Sequence, residues 1–434
     1  MSHEETTERI AFHPSTTPRL QGIEGLRAIA ACSIVLVHVW GFSTPGESPL
    51  GTGSGLDYAI STLSVGVTLF FTLSAFLLYR PFAATIARNA PALSVGAYLR
   101  NRILRIAPAY WVILFACAVV LGVVYLPEPG GIGRLSPLPL LENALLLQNY
   151  RVTTVGSGIG PAWSLAVELV FYFALPVLVW GAARIARQAS DRRGRVLALL
   201  APPLLLLVLG LTGKFVAGTV LPAPPTAGYS HDWHSVVERS FWAQADLFSF
   251  GMVVAVAYVE VIDGRLRLPS FWRPLAAVLG FAIFLPCAWT MHMGEHSYLL
   301  QNTGEALALA LIFAAIVIPD PEAPRSSRVI GLLESPVLVA TGVVSYSIFL
   351  WHLPLIVWLE DHGFTLGGWG GLLVNTLIIA VPVGLLSALT YHFVEKPALR
   401  RKHSMRTDTK VSGVDGQAAT PAPAGETAIA QSQA

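Results

Sequence analysis

The chain has 434 residues, of which 54% are hydrophobic and 12% charged, with a formal net charge of +2. Soluble domains carry about 25% charged residues, so the composition excludes an ordinary soluble enzyme, and the near-neutral balance excludes a nucleic-acid partner recruited by bulk charge. Apolar blocks of roughly 18 to 23 residues, long enough for a hydrocarbon core of about 30 Å, predict an all-α polytopic integral membrane protein of about ten transmembrane helices embedded in the lipid bilayer.

Residues 1–20 are polar and hold no apolar stretch of the kind that marks a cleavable signal, so the first span is predicted to stay as an anchor. The spans fall over approximately 23–43, 60–80, 107–126, 161–183, 196–217, 241–262, 274–292, 302–319, 337–359 and 370–393. The block 138–149, "LPLLENALLLQN", is too short to cross and reads as re-entrant or interfacial. Residues 21–400 thus form one transmembrane domain, and 401–434, rich in Thr, Ala, Pro, Gly and Gln, read as a disordered tail. Lys and Arg concentrate in alternate connections, such as Arg100, Arg102 and Arg105 or Arg192, Arg193 and Arg195, while the intervening ones hold only Arg134, Arg151, Lys214 and Arg239. That bias predicts both termini on the cytoplasmic side. Cys32, Cys117 and Cys287 lie in apolar blocks, at spacings that suit neither a metal nor a disulfide framework, and read as small apolar residues.

Ionisable residues inside spans are costly and mark function by default. In "GIEGLRAIAACSIVLVHVWGF", Arg27 and His38 are eleven residues apart. That spacing is close to three helical turns, so they share a face, separated by roughly 16 Å along the axis. In "GPAWSLAVELVFYFALP", Glu168 shares a face with Ser164 at i−4 and Tyr172 at i+4. In "SYSIFLWHLPL", His352 lies about 22 Å along the ninth span if that helix is straight. Ser345 shares its face and Tyr346 does not. His38, Glu168 and His352 are therefore expected to meet at one level in the outer half of the membrane. Two His and a Glu would suit zinc, but the more economical reading is a general base with an orienting carboxylate. Asp246 and Glu305 sit near outer helix ends and read as interfacial. At the opposite level, "YLRNRILRIAPAYW" places Arg102 and Arg105 at i, i+3, an arrangement suited to a phosphate-bearing ligand. Phosphates at one level and a reactive end at the other describe the shape of a coenzyme A thioester.

These stretches together resemble the membrane acyltransferase-3 family of bacterial O-acyltransferases. The resemblance covers most of residues 20–400. It rests on "EGLRAIAA" running to His38, "GVTLFFTLSAFLL", the Arg-x-x-Arg of "RNRILRIAPAYW", the Trp-Ser-Leu-x-x-Glu of "WSLAVELVFYFALP", and "SYSIFLWHLPL" with "HFVEKP". It implies transfer of an acyl group, most often acetyl, from cytoplasmic acyl-CoA as co-substrate to a hydroxyl, with no permanently bound cofactor or metal. The acceptor is a carbohydrate or glycosylated molecule such as a cell-envelope polysaccharide, or alternatively a macrolide or other secondary metabolite. By resemblance, His38 and Glu168 form the catalytic centre, Arg27, Arg102 and Arg105 handle CoA, and Trp163, Ser164, Tyr346 and His352 shape or polarise the site. The implied location is the bacterial inner membrane. Two departures stand out. The family's Ser-Gly-Phe is Ser74-Ala75-Phe76 here, which is expected to alter packing or the acyl-binding space. The tail is also too short for the esterase-like SGNH domain of some relatives, so transfer is expected to be direct or to use a separate partner. The rival class, a transporter or flippase of envelope precursors, would line a pathway with the same polar residues. A non-enzymatic scaffold would leave His38 and Glu168 unexplained.

Overall fold

The structure is a computed structural model that describes residues 20–43, 59–127, 130–221, 230–290, 297–319 and 328–402. Most of the N-terminal polar segment and nearly all of the expected disordered tail lie outside the described residues.

Helices dominate because apolar backbone in lipid must satisfy its own N–H and C=O groups. The main ones are α1 (Ile23–Ser43), α2 (Gly66–Ala87), α3 (Val95–Phe115), α4 (Pro137–Ala144), α5 (Trp163–Gln188), α6 (Arg192–Phe215), α7 (Asp246–Ile262), α8 (Trp272–Thr290), α9 (Ser297–Val317), α10 (Pro336–Val343), α11 (Ser345–Asp361) and α12 (Gly368–Thr390). All ten predicted spans coincide with helical segments. Among the described residues six helical segments are long and apolar enough to cross a membrane, or seven when α10 and α11 count as one bent span. Trp272–Ala288 and Gln301–Val317 are shorter apolar helices. Phe173, Val177 and Trp180 on α5 and Leu377, Val381 and Leu385 on α12 are exposed, as a lipid-facing surface requires. Among the described residues the sole sheet is the two-residue pairing of Val124–Tyr125 with Ile132–Gly133.

Helix α1, which carries Arg27 and His38, is gripped on two sides through glycines. A Cβ on Gly66 would stand 2.5 Å from the Ala30 carbonyl oxygen, and one on Gly342 would stand 1.9 Å from that of Glu24. Only glycine allows backbones this close. The core behind α2 is aromatic, with Phe248 stacked on Phe171 at 4.3 Å and tilted against Phe71 at 4.7 Å between ring centroids.

Three expectations are corrected. Helix α3 starts at Val95, well before the expected boundary near 107, because the Ser94 hydroxyl accepts the Ala97 N–H at 3.3 Å and caps it. Arg102 and Arg105 therefore belong to the same helix as the span. The ninth span is not straight: α10 and α11 meet at Val344 with a bend of 72°. Asp246 and Glu305 are not interfacial. Asp246 is fully buried and receives the fully buried Lys214 ammonium at 2.6 Å, with Thr303 bonded to both. Glu305 is buried too, and accepts from the Gln301 amide at 3.1 Å. This cluster ties α6, α7 and α9 together within the bundle. Within the 138–149 block, α4 exposes Leu138 and Leu141. Its end is tied to α3 by Tyr110 and Trp111, which donate to the carbonyls of Asn143 and Ala144 at 2.7 and 2.9 Å.

Candidate active site

Helices α1, α2, α3, α5 and α11 enclose a cavity of about 120 Å³. Arg27, Arg102 and Arg105 line one part of it. Glu168, Ser164 and Tyr172 of α5 line it as well, with Ser74 of α2, Tyr346 and Phe349 of α11, and Phe70 and Phe71. The helical spacing anticipated the α5 trio. Glu168 accepts a hydrogen bond from the Ser74 hydroxyl.

The arginines are only partly satisfied by the protein. Arg105 meets Glu395 at 3.4 Å and lies over the Tyr346 ring at 5.8 Å. Tyr346 is fixed in turn by donating to the Ile106 carbonyl at 2.9 Å. Arg102 Nε and one Arg105 terminal nitrogen, Nη2, are buried without a hydrogen-bond partner. Buried guanidinium nitrogens left open in this way are a docking place for a polyanion. Two residues outside the sequence-derived set, Glu395 and Lys402, complete this end. Glu395 is almost wholly buried and also accepts from the Ser347 hydroxyl at 2.6 Å. Lys402 follows the last short helix, and burial together with Arg102, Arg105 and Arg27 pushes its ammonium down to about 8. The "HFVEKP" stretch was the signal for Glu395. For Lys402 there was none beyond its sign.

Beyond Phe349 stand the two histidines. His352 Nε2 lies 3.1 Å from His38 Nδ1, and the ring centroids are 5.1 Å apart at 44°. His38 Nδ1 also lies 2.9 Å from the Ile34 carbonyl oxygen, and His352 Nδ1 lies 3.1 Å from that of Ile348. His352 is fully buried and His38 half-buried. The Phe349 ring, 5.9 Å from His352 and 5.7 Å from Phe70, separates the pair from the arginine-lined cavity.

The expected meeting of His38, Glu168 and His352 therefore holds for the histidines alone. Among the described residues Glu168 makes no hydrogen bond to either; it is bonded by Ser74 and Tyr172, and shares the cavity wall with the arginines. Nor does any group of three or more His, Cys, Asp or Glu placed to hold a metal occur among the described residues. Glu168 is instead turned toward Ser74 and the arginine-lined cavity, which the two histidines do not line. Trp163 does not line the cavity; it packs edge-on against Phe71 at 6.4 Å and lies under the Arg239 guanidinium at 5.6 Å. Ala75 faces away from the cavity: a Cβ on Gly251 of α7 would stand 3.0 Å from its methyl, so close approach is granted from the opposite helix.

The chain is similar to several known proteins. Acyltransferase MdmB of Streptomyces mycarofaciens is 25% identical over 403 residues, covering 89% of this chain and 93% of that protein. Nodulation protein 10 of Rhizobium leguminosarum bv. viciae is 24% identical, covering 88% and 93%. O-acetyltransferase OatA of Staphylococcus aureus is 22% identical, with 89% of this chain matched to 58% of that longer protein. No solved structure matches the chain. The family whose pattern fits, described as "Acyltransferase domain", is matched over residues 20–392. This multi-pass, all-helical membrane protein belongs to the acyltransferase-3 family.

Proposed function

We propose that the protein transfers an acyl group, acetyl in the first instance, from cytoplasmic acyl-CoA to a hydroxyl of a carbohydrate or glycosylated acceptor, with His38 as general base. The observation that carries this reading is the pairing of two features within one bundle. One is an arginine-lined cavity with open guanidinium nitrogens, and the other is a half-buried histidine held by a second histidine behind Phe349. The name of the relative OatA, an O-acetyltransferase, supports the hydroxyl acceptor.

In this reading Arg27, Arg102, Arg105 and Lys402 hold the donor's phosphates at the cytoplasmic end, and the donor's arm runs past Phe349 to the histidines. Both termini then face the cytoplasm of a bacterial inner membrane, as the Lys and Arg bias suggests. The acceptor hydroxyl gives its proton to His38 as its oxygen bonds the acyl carbon. The carbon–sulfur bond breaks, and His38 returns the proton to the departing thiolate, so the products are an ester and free CoA. Glu168 and Ser164 line the path of the acyl arm, and Glu168 sets the charge balance among the arginines.

The test is free-thiol release from acetyl-CoA by purified protein in nanodiscs supplied with an envelope saccharide extract. H38A should lower the rate by about 10² to 10⁴ while the protein stays folded and still binds acetyl-CoA. Unchanged turnover in H38A would overturn the assignment.

A further inference from the structure

A neutral imidazole is a base at only one of its two nitrogens, and the contacts around the histidine pair decide which one in His38. The carbonyls of Ile34 and Ile348 can only accept. His352 Nδ1, 3.1 Å from the Ile348 oxygen, must therefore carry its ring proton, which leaves His352 Nε2 bare. His38 Nδ1 faces two acceptors, that bare nitrogen at 3.1 Å and the Ile34 oxygen at 2.9 Å, so it too carries a proton, shared between them. The lone pair of His38 then lies on Nε2. The reverse arrangement, with His352 Nε2 donating to His38 Nδ1, would turn both Nδ1 atoms into acceptors facing carbonyl oxygens at 2.9 and 3.1 Å. One assignment satisfies all three contacts, and the other leaves two repulsions.

We propose that His352 is a positioning residue: it locks His38 in the Nδ1–H tautomer, so that Nε2 takes the acceptor's proton, and it steadies the imidazolium that results. This inference rests on the reading of His38 as the base. When the hydroxyl O–H bond breaks, its electron pair forms the bond to the acyl carbon and its proton joins His38 Nε2. The Nδ1–H bond to His352 becomes charge-assisted and shortens. The proton stays on His38, because a cationic imidazole at the fully buried His352 would be the more costly to desolvate. When the carbon–sulfur bond breaks, the proton leaves His38 Nε2 for the sulfur. A buried neutral acceptor thus fills the part that a carboxylate plays in a catalytic triad. Complete burial of His352 keeps water from competing for its Nε2. His38, by contrast, is only half-buried.

The full-length protein, labelled with 15N-histidine in nanodiscs, gives the tautomer directly, with H38Q used to assign the His38 signals. The wild type should show His38 protonated at Nδ1 and bare at Nε2. H352Q, which restores an oxygen acceptor near the lost nitrogen, should keep that pattern and roughly a tenth or more of the wild-type kcat. H352L should admit the Nε2–H form and lose roughly 100-fold in kcat, with the KM for acetyl-CoA within about threefold of wild type. Nε2–H at His38 in the wild type, or equal losses in H352Q and H352L, would overturn the proposal; the wild-type spectrum decides even where a variant fails to fold. The stated tautomer together with full turnover in H38A would instead refute His38 as the base and leave the hydrogen-bond assignment standing.

Discussion

Neutralising Asp246 while leaving Lys214 in place should be among the most damaging isosteric changes in the bundle. The pair is fully buried, with nitrogen and oxygen 2.6 Å apart. At an effective dielectric constant of about 20, that separation corresponds to a gross attraction of about 6 kcal/mol. Desolvation of two ions offsets much of it, several kcal/mol for each. The pair is therefore near break-even against apolar residues, whereas either ion alone is not. D246N keeps the side-chain shape, which matters because a Cβ on Gly210 would already stand 2.4 Å from the Asp246 backbone nitrogen and Oδ1. D246N and K214M should each lower the unfolding free energy by about 3–5 kcal/mol, and K214M/D246N should return to within about 1–2 kcal/mol of wild type. Equilibrium unfolding in mixed micelles gives all three values and the coupling between the sites. The double variant should also transfer acyl groups at the wild-type rate, because neither residue lines the cavity. Single losses under about 1 kcal/mol, or losses that simply add in the double variant, would refute the reasoning.

Two other outcomes follow from geometry already described. G342V should destabilise the protein by about 3 kcal/mol, the upper end of ordinary overpacking, since its Cβ would meet the Glu24 oxygen at 1.9 Å and push α1 away. G384A, with no neighbour within 4 Å of its Cβ, should be neutral to slightly stabilising in the same unfolding assay. Affinity for acetyl-CoA, measured by calorimetry, should fall as pH rises through about 8, where Lys402 loses its charge, and K402Q should abolish that step. The sign for stability is opposite. Between about 8 and 10.5 the unfolded chain holds the Lys402 proton that the folded one has released, so this group makes unfolding free energy rise with pH across that window.

Hydropathy located every major helix, because lipid imposes one length and one composition on each span. Helical arithmetic put Arg27 and His38 on one face, and Ser164, Glu168 and Tyr172 on another. What it could not give was the relation between helices. Glu168 was grouped with the histidines because depth counted along a helix says nothing of which neighbour a side chain meets, and the bend at Val344 is likewise invisible to hydropathy since α10 and α11 are both apolar. The Lys214–Asp246 pair was missed for a related reason. Each residue lies near a span end, where a charge ordinarily meets water, and only the packing of α6 against α7 shows that these two meet each other. Tyr346 shares no face with His352 in a straight helix, yet it reaches the arginines because its neighbours at the break are set by α3.

The winding after α12 has a consequence for how this chain can vary. Residues Tyr391–Glu395 form a π turn, in which the hydrogen bonds span five residues rather than four. The additional residue advances everything after it by about 100° around the axis. Phe393 thereby stays on the outer surface, while Glu395 swings inward to Arg105 and Ser347. The turn acts as a phase shifter between two obligations, apolar surface for lipid before it and a carboxylate aimed at cations after it. Deleting one residue there would leave length, hydropathy and motif spelling almost untouched, yet would rotate Glu395 and the Lys396–Leu399 helix out of register with the arginines. In this chain a deletion is thus weighed by angle as well as by length.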